Sequence, residues 1–242
     1  MKLNFSFQKA FTDLFSDKKH VIALFWIAVG FTVFDIVTSK LGNYSSFNVV
    51  NILLAGYISI MANNIILGQE PVLANIFSNT NKNKNLLLVG FKASVVNIIY
   101  YSLPIFTGFF IVKLLSADLN SKAIIELSSI VIITLLLTIF ASVSSFTLFS
   151  ENLSFKQSFN ILKSIKSFKY SWGEYLISGI FYVFVLAGSY SILLPFEFLF
   201  HKIIIISGIV KLTMHLLVIL AAYFSNHLTA QAYKYALSNM KD

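Results

Sequence analysis

Four ionisable residues fall inside or close beside long apolar stretches of this sequence: Asp35, Glu126, Lys211 and His215. Ionisable groups in a bilayer are costly and rarely face lipid, so each one is a candidate functional residue. Lys211 lies roughly 12 Å into its stretch at ~1.5 Å per residue, and His215 projects from the same helix face. Glu197 is a further carboxylate on the same predicted side. We hypothesise a binding cluster of these groups in which Asp35 or Glu126 neutralises Lys211.

The chemistry of this cluster allows two interpretations. Acids beside a lysine and a histidine in a poorly hydrated setting can hold a proton or a cation, or can anchor a charged ligand. The same groups can instead form a structural ion pair that fixes the register of neighbouring helices, or the acids can be solvated near the surface. The sequence leaves both interpretations open.

The elements that must position this cluster are six apolar stretches, each about 20 residues long, which is the length that crosses a hydrocarbon core. The chain has 242 residues, of which 57% are apolar and 12% charged, against about 25% charged in a soluble domain. We therefore predict an all-α integral membrane protein in one domain (1–242), with six transmembrane helices arranged as three hairpins. The predicted spans are 21–38, 47–68, 93–115, 123–149, 174–194 and 203–224, with Pro195 expected to stop or bend the fifth.

The distribution of lysines predicts the orientation. Thirteen of the 18 lysines precede the first span, lie in the second and fourth connectors or follow the last span; four lie in or at the edge of the other three connectors, Lys211 lies within the last span, and arginine is absent. Lysine-rich connectors stay on the cytoplasmic side of a membrane. We predict that both termini and the two long connectors are cytoplasmic.

Two cytoplasmic segments, 1–20 and 152–172, have the spacing of amphipathic interfacial helices. In the second, Phe155, Phe159, Leu162, Ile165 and Phe168 form an apolar stripe that should face lipid. Lysines lie largely off that stripe and should face anionic headgroups on the inner surface. This predicted basic face consists of Lys156, Lys163, Lys166 and Lys169.

The sequence contains no motif that would support catalysis. It has no phosphate-binding loop, no G-x-S-x-G and no H-E-x-x-H, and it has no cysteine. Its four histidines are far apart, so we expect no metal site, and we expect no cofactor and no enzymatic activity. The net charge of +8 does not predict nucleic-acid binding, because the basic residues follow membrane topology and include no arginine.

Polar residues within the spans have their own two interpretations. The amides Asn51, Asn63, Asn64 and Asn97 can form hydrogen bonds between helices, or they can line a polar pathway. Pro104 should bend the third span.

Short elements occur in a definite order along the chain. They are the Phe-rich segment SFQKAFTDLFSDKKH (6–20), Gly56-Tyr57, the polar link from Gly68 to Pro71, Gly90, the run from Tyr101 to Pro104, and Ala232-Tyr233. This order resembles an uncharacterised family of prokaryotic multi-pass membrane proteins, known as a domain of unknown function. The resemblance implies a multi-span fold and a membrane location, and it implies no activity.

Two function classes remain open. The first is a non-enzymatic, transport-associated or scaffold component of the bacterial cytoplasmic membrane, whose inner segments bind lipid or a cytoplasmic protein. The second is a permease subunit of an ABC-type export system, in which those segments contact a separate ATPase. The second class requires residues 155–168 to stand off the membrane and dock on protein.

Overall fold

The computed structural model describes residues 4–40, 49–69, 85–115 and 121–240, and within these ranges the chain is helical and contains no strand. The helices are α1 (Phe7–Ser16), α2 (Lys18–Lys40), α3 (Val49–Leu67), α4 (Leu86–Leu115), α5 (Ser121–Asn152), α6 (Ile161–Phe200) and α7 (Ile204–Asn239). A short 3-10 helix (Gln157–Phe159) precedes α6. The predicted all-α class is thereby confirmed.

Helices α2 to α7 are each long and apolar enough to cross a membrane, which confirms the number of predicted spans within the described residues. Large apolar side chains cover their outer surfaces: Phe184 is 77% exposed, Phe198 78% and Leu136 62%. Apolar surface of this extent is too costly to leave in water. The six helices therefore indicate a membrane-embedded protein.

Helix α3 holds the bundle together. It packs against α4, α5 and α7, whereas α4 pairs mainly with α5 and α6 pairs mainly with α7. The two helix pairs have few direct contacts with each other, and α2 packs on α7. The bundle thus consists of an α4–α5 pair and an α6–α7 pair that are connected chiefly through α3.

One end of the bundle, which we name the terminal face, is formed by α1, the start of α6 and the end of α7. Ser6 caps α1 by accepting a hydrogen bond from Lys9 N, and Ala10 and Leu14 of α1 are buried. His227 Nε2 of α7 lies 2.9 Å from Asp13 Oδ2 of α1. The opposite face contains the end of α2 and the turn at 201–203 between α6 and α7.

The segment before the fifth span differs from its prediction. The α-helix begins at Ile161, where Asn160 Oδ1 accepts a hydrogen bond from Lys163 N, and the preceding residues form the 3-10 helix. At Ser171 the backbone is non-helical (φ −137°, ψ 24°), and this kink separates the first part of α6 from the fifth span. The segment predicted as interfacial, 152–172, thus contains an α-helical part that begins only at Ile161, because Asn160 caps it.

Prolines do not end either helix that contains them. Helix α6 passes through Pro195 and ends at Phe200, so the fifth span extends beyond its predicted end at 194, and α4 contains Pro104. A proline removes one backbone hydrogen bond, and helices inside a membrane tolerate that loss because the alternative exposes more polar backbone to lipid.

The backbones of α3 and α4 approach each other closely at two glycines. A Cβ atom on Gly90 would lie 1.9 Å from Ile52 O, and one on Gly56 would lie 2.2 Å from Leu86 O. Only glycine allows the two backbones to come so close, and such contacts drive helix association in membranes, where the hydrophobic effect contributes little. These two glycines set the α3–α4 distance.

We expect Gly90→Ala to push α4 away from α3 and to lower the free energy of unfolding by about 1–3 kcal/mol, the usual range for overpacking. Chemical unfolding in detergent micelles measures this loss. Gly108→Ala is the matched control on the same helix, because a Cβ there meets no atom within 4 Å. Equal stability of the two variants would contradict a tight α3–α4 contact.

Candidate functional site

Two members of the predicted cluster are in direct contact near the opposite face. His215 Nε2 of α7 lies 3.0 Å from Asp35 Oδ2 of α2. The other ring nitrogen, Nδ1, lies 3.1 Å from Thr32 Oγ1, and Phe31 stacks on the imidazole at 5.7 Å. The imidazole is thus held on both nitrogens by side chains of α2.

This arrangement can bind a proton. The Thr32 hydroxyl donates to Ala28 O at 2.9 Å, which leaves its oxygen able to accept a hydrogen bond from Nδ1–H of His215. An ionised Asp35 can only accept, so it would take a second hydrogen bond from Nε2–H. Together the two acceptors satisfy both N–H groups of an imidazolium ion, which is the form that a proton-binding site requires.

Lys211 pairs with Glu197, whereas Asp35 or Glu126 was predicted to neutralise it. Lys211 Nζ lies 3.4 Å from Glu197 Oε1, and the two side chains are 22% and 25% exposed. The short turn at 201–203 folds α7 back along α6, and this brings Glu197 to Lys211 while Asp35 contacts His215. The side chain of Glu126, the other predicted partner, lies outside the described residues.

The predicted basic face is split among different environments. Lys156 precedes α6, in the link before the 3-10 helix. Lys163 forms an ion pair with Glu151 of α5 at 2.5 Å, whereas Lys166 and Lys169 are exposed on α6. Of the predicted face, Lys163, Lys166 and Lys169 share α6 at three-residue spacing, whereas Lys156 lies before that helix.

The inward face of this part of α6 is made of serines. Ser164, Ser167 and Ser171 are fully buried, while Leu162 is 75% exposed and Ile165 is 54% exposed. Ser164 contacts Ser144 of α5 through the two hydroxyl oxygens, and Ser171 Oγ donates to Ala232 O of α7 at 3.0 Å. Small side chains let α6 approach both neighbours closely, which the apolar stripe in the sequence did not indicate.

A cavity of about 540 Å³, the central cavity, lies among α3, α4, α5, α6 and α7. Hydroxyl and amide groups from all five helices line it, together with small and apolar side chains. Its polar lining includes Asn51, Ser59, Asn97, Tyr101, Thr138, Ser142, Ser145, Tyr175, Ser178, Tyr182, Ser225, Asn226 and Thr229. No charged side chain is among its described lining residues.

Ser178 organises the polar wall of the central cavity. Its hydroxyl lies 2.7 Å from Thr229 Oγ1 and donates to Ser225 O at 2.8 Å. Asn226 Nδ2 donates to Ala222 O on its own helix. Asn97, on the α4 side, makes no side-chain hydrogen bond within the described ranges of the chain. The side-chain amide of Asn97, one of the residues that could line a polar pathway, is therefore available to a ligand.

Other amides and acids stabilise the terminal face. Asn63 Nδ2 donates to Ser150 O at 2.8 Å, as expected for a helix–helix bond. Glu151 accepts a hydrogen bond from the Tyr233 hydroxyl at 2.8 Å and also pairs with Lys163. Glu174, 3% exposed, accepts from Asn4 Nδ2 at 3.0 Å. Sequence reasoning missed both glutamates, since it treated 151 and 174 as connector or span-boundary positions.

The remaining histidines form no metal centre among the side chains that the structure describes, where no group of three or more His, Asp or Glu residues could hold an ion. His20 Nδ1 lies 2.7 Å from the Tyr57 hydroxyl. Gln231 Nε2 can only donate, so His227 Nδ1 accepts from it at 2.9 Å and Nε2–H points to Asp13. These histidines join helices.

Comparison with known proteins gives one match. The sequence model of a family described as "Protein of unknown function (DUF4013)" matches residues 41–196, which is more than half of the chain. Searches of curated proteins and of solved structures find no match. The matched range contains α3, α4, α5 and most of α6, and so it contains four of the five helices that line the central cavity.

We expect Lys211→Met to lower the free energy of unfolding by about 2 kcal/mol, because it leaves the partly buried Glu197 carboxylate without its cation. The double variant Lys211→Met/Glu197→Gln should recover most of that loss. Unfolding in detergent micelles is measured for the wild type, the two single variants Lys211→Met and Glu197→Gln, and the double variant, and Lys202→Met, on the exposed turn of the same face, is the control. A double variant as unstable as the sum of its single changes would show that the pair is not coupled.

Proposed function

The chain belongs to this family of proteins of unknown function, and we propose that it is a non-enzymatic, transport-associated membrane component that binds a neutral polar solute. The central cavity is the observation that carries this proposal. Its volume of about 540 Å³ lies within the ~300–1,000 Å³ of typical small-molecule sites. The described lining supplies hydrogen-bonding groups without a net charge, which suits an uncharged polar ligand.

A polar lining of the central cavity destabilises the protein unless its hydrogen-bonding groups are satisfied. Hydroxyl and amide groups in a bilayer need hydrogen-bond partners. They usually find one on their own helix or on a neighbouring helix. Ser178 and Thr229 follow that solution, but Asn97 does not. A polar group facing an internal space is satisfied by water or by a ligand that enters the space.

The packing of the helices supports transport over a purely scaffolding role. The cavity lies between the α4–α5 pair and the α6–α7 pair, which touch each other little and are joined through α3. A small rotation of one pair about α3 would widen the cavity toward one face, in the manner of alternating access. A purely scaffolding role does not require such an internal space.

The lysine distribution supports a location in the bacterial cytoplasmic membrane with both termini inside. The terminal face contains Lys9, Lys163, Lys166, Lys169 and Lys234, whereas Lys202 lies at the opposite face. An excess of basic residues marks the cytoplasmic side. In this orientation the Asp35–His215 and Lys211–Glu197 pairs lie in the outer half of the membrane.

The alternative function is a permease subunit of an ABC-type export system. Leu162 and Ile165 point away from the bundle, and they would provide an apolar contact for a separate ATPase. Affinity purification in mild detergent distinguishes the two proposals. Recovery of a stoichiometric ATPase with the chain would favour the permease subunit, and its absence would favour the component that works alone.

We expect a single cysteine at position 97 to react with a membrane-impermeant methanethiosulfonate in native membranes, because the central cavity admits water. The chain has no cysteine of its own, so Asn97→Cys can be labelled without background. Ile98→Cys is the matched control: Ile98 is the next residue of α4, and it is 59% exposed on the apolar surface. Labelling at 97 should be at least ~10-fold faster, since thiolates react and lipid suppresses ionisation.

Filling the cavity should remove this reactivity. A Cβ at Gly179, on the cavity wall, meets no atom within 4 Å, and the same holds for Gly188 on the same helix outside the lining. We expect Gly179→Leu to slow labelling of Asn97→Cys and Gly188→Leu to leave it unchanged. If positions 97 and 98 react equally slowly, no aqueous solute reaches the cavity and the transport proposal is wrong.

The orientation has its own test. In intact cells, we expect an impermeant maleimide to label Lys202→Cys, because that residue lies at the predicted outer face. Lys169→Cys should become reactive only after permeabilisation. The reverse pattern would invert the proposed topology, while leaving the arrangement of helices unchanged.

A further inference from the structure

A second and larger cavity, the terminal cavity, opens at the terminal face between α1, the end of α3, the start of α6 and the end of α7. Its volume is about 1010 Å³. Lys9, Lys163, Lys166 and Lys234 line it, and Glu151 is the one acidic residue in its described lining. The four lysines come from three different helices, so the fold gathers them into one place.

The charges in this cavity are not balanced. Glu151 is already engaged, because it pairs with Lys163 and accepts a hydrogen bond from the Tyr233 hydroxyl. Lys9, Lys166 and Lys234 form no ion pair with a carboxylate in the described part of the chain. Three ammonium groups around one space therefore remain to attract an anion.

The Lys234 ammonium lies beside the end of α3, one of the helices that border the cavity. A Cβ atom on Gly68, just after the end of α3, would lie 3.0 Å from Lys234 Nζ. The lysine of α7 therefore reaches across to α3, toward the other helix that borders the cavity. The carbonyl end of α3 carries only a partial negative charge, so it stabilises the Lys234 ammonium there without neutralising it.

The rest of the lining is apolar or neutral. Ile65 and Leu67 at the end of α3, Leu162 of α6 and Leu237 of α7 provide an apolar wall, and Asn4 and Gln231 contribute amides. Cations and amides beside an apolar wall at the ends of membrane-spanning helices match a molecule with an anionic head and an apolar body.

We propose that the terminal cavity is a binding site for a phosphate-bearing anion, namely the headgroup of an anionic phospholipid. The ammonium groups of Lys9, Lys166 and Lys234 contact the phosphate, and the apolar wall contacts the start of the acyl chains. This site is independent of the solute that the central cavity is proposed to take.

The test compares two triple variants that remove equal charge. Lys9→Gln/Lys166→Gln/Lys234→Gln removes the unpaired lysines of the cavity and keeps the Lys163–Glu151 pair. Lys18→Gln/Lys156→Gln/Lys169→Gln removes three exposed lysines outside the cavity lining. Each full-length protein is purified in dodecyl maltoside and unfolded thermally with added phosphatidylglycerol, phosphatidylcholine or soluble glycerol 3-phosphate. Native mass spectrometry counts bound lipid in parallel.

We expect phosphatidylglycerol to raise the unfolding midpoint of the wild-type protein by roughly 5 °C and phosphatidylcholine to have little effect. The cavity variant should lose most of this shift and its bound phosphatidylglycerol, while the control variant keeps both. Stabilisation by glycerol 3-phosphate equal to that by the lipid would assign the site to a soluble phosphate and overturn the lipid assignment. Equal losses in the two variants would overturn the site itself, and the lipid count gives this answer even if a variant unfolds early.

Discussion

The structure depends on one constraint: in the apolar part of a bilayer no water is available to satisfy a polar group. Within the described membrane-length segments the backbone is therefore helical, and a polar side chain there is stabilised by a partner or by an internal space. Thr32 donates to its own helix, Asn63 bonds to carbonyls of α5, and Ser178 bonds to α7. Asn97, which makes no such bond among the described residues, borders the central cavity.

The same constraint explains which features could be predicted from the sequence. A span must be apolar over about 20 residues, so the number of membrane-length helices follows from composition alone. The start of α6 does not follow, because Asn160 caps the helix and the serine face packs inward. Apolar spacing cannot distinguish a face that contacts lipid from one that contacts a neighbouring helix, since small polar side chains also fill close contacts.

The candidate site was predictable as a set of residue types, but its pairing was not. Depth along a span placed Asp35, Lys211 and His215 at similar levels, and all three do lie in ion pairs near the opposite face. Which acid meets which base depends on how α7 is rotated between α2 and α6. That rotation is set by the packing of α7 against α2, α3 and α6, and depth along the sequence contains no information about it.

Helix α7 connects the three polar regions of the molecule. Near the opposite face it presents Lys211 to α6 and His215 to α2, in its middle it lines the central cavity with Ser225, and near the terminal face Lys234 borders the terminal cavity. A rigid helix cannot shift at one of these levels without shifting at the others. Protonation of the His215–Asp35 pair, entry of a solute and binding of an anionic headgroup would therefore act on the same element. Coupling between them requires no further moving part, because α7 packs on α2, α3 and α6 alike.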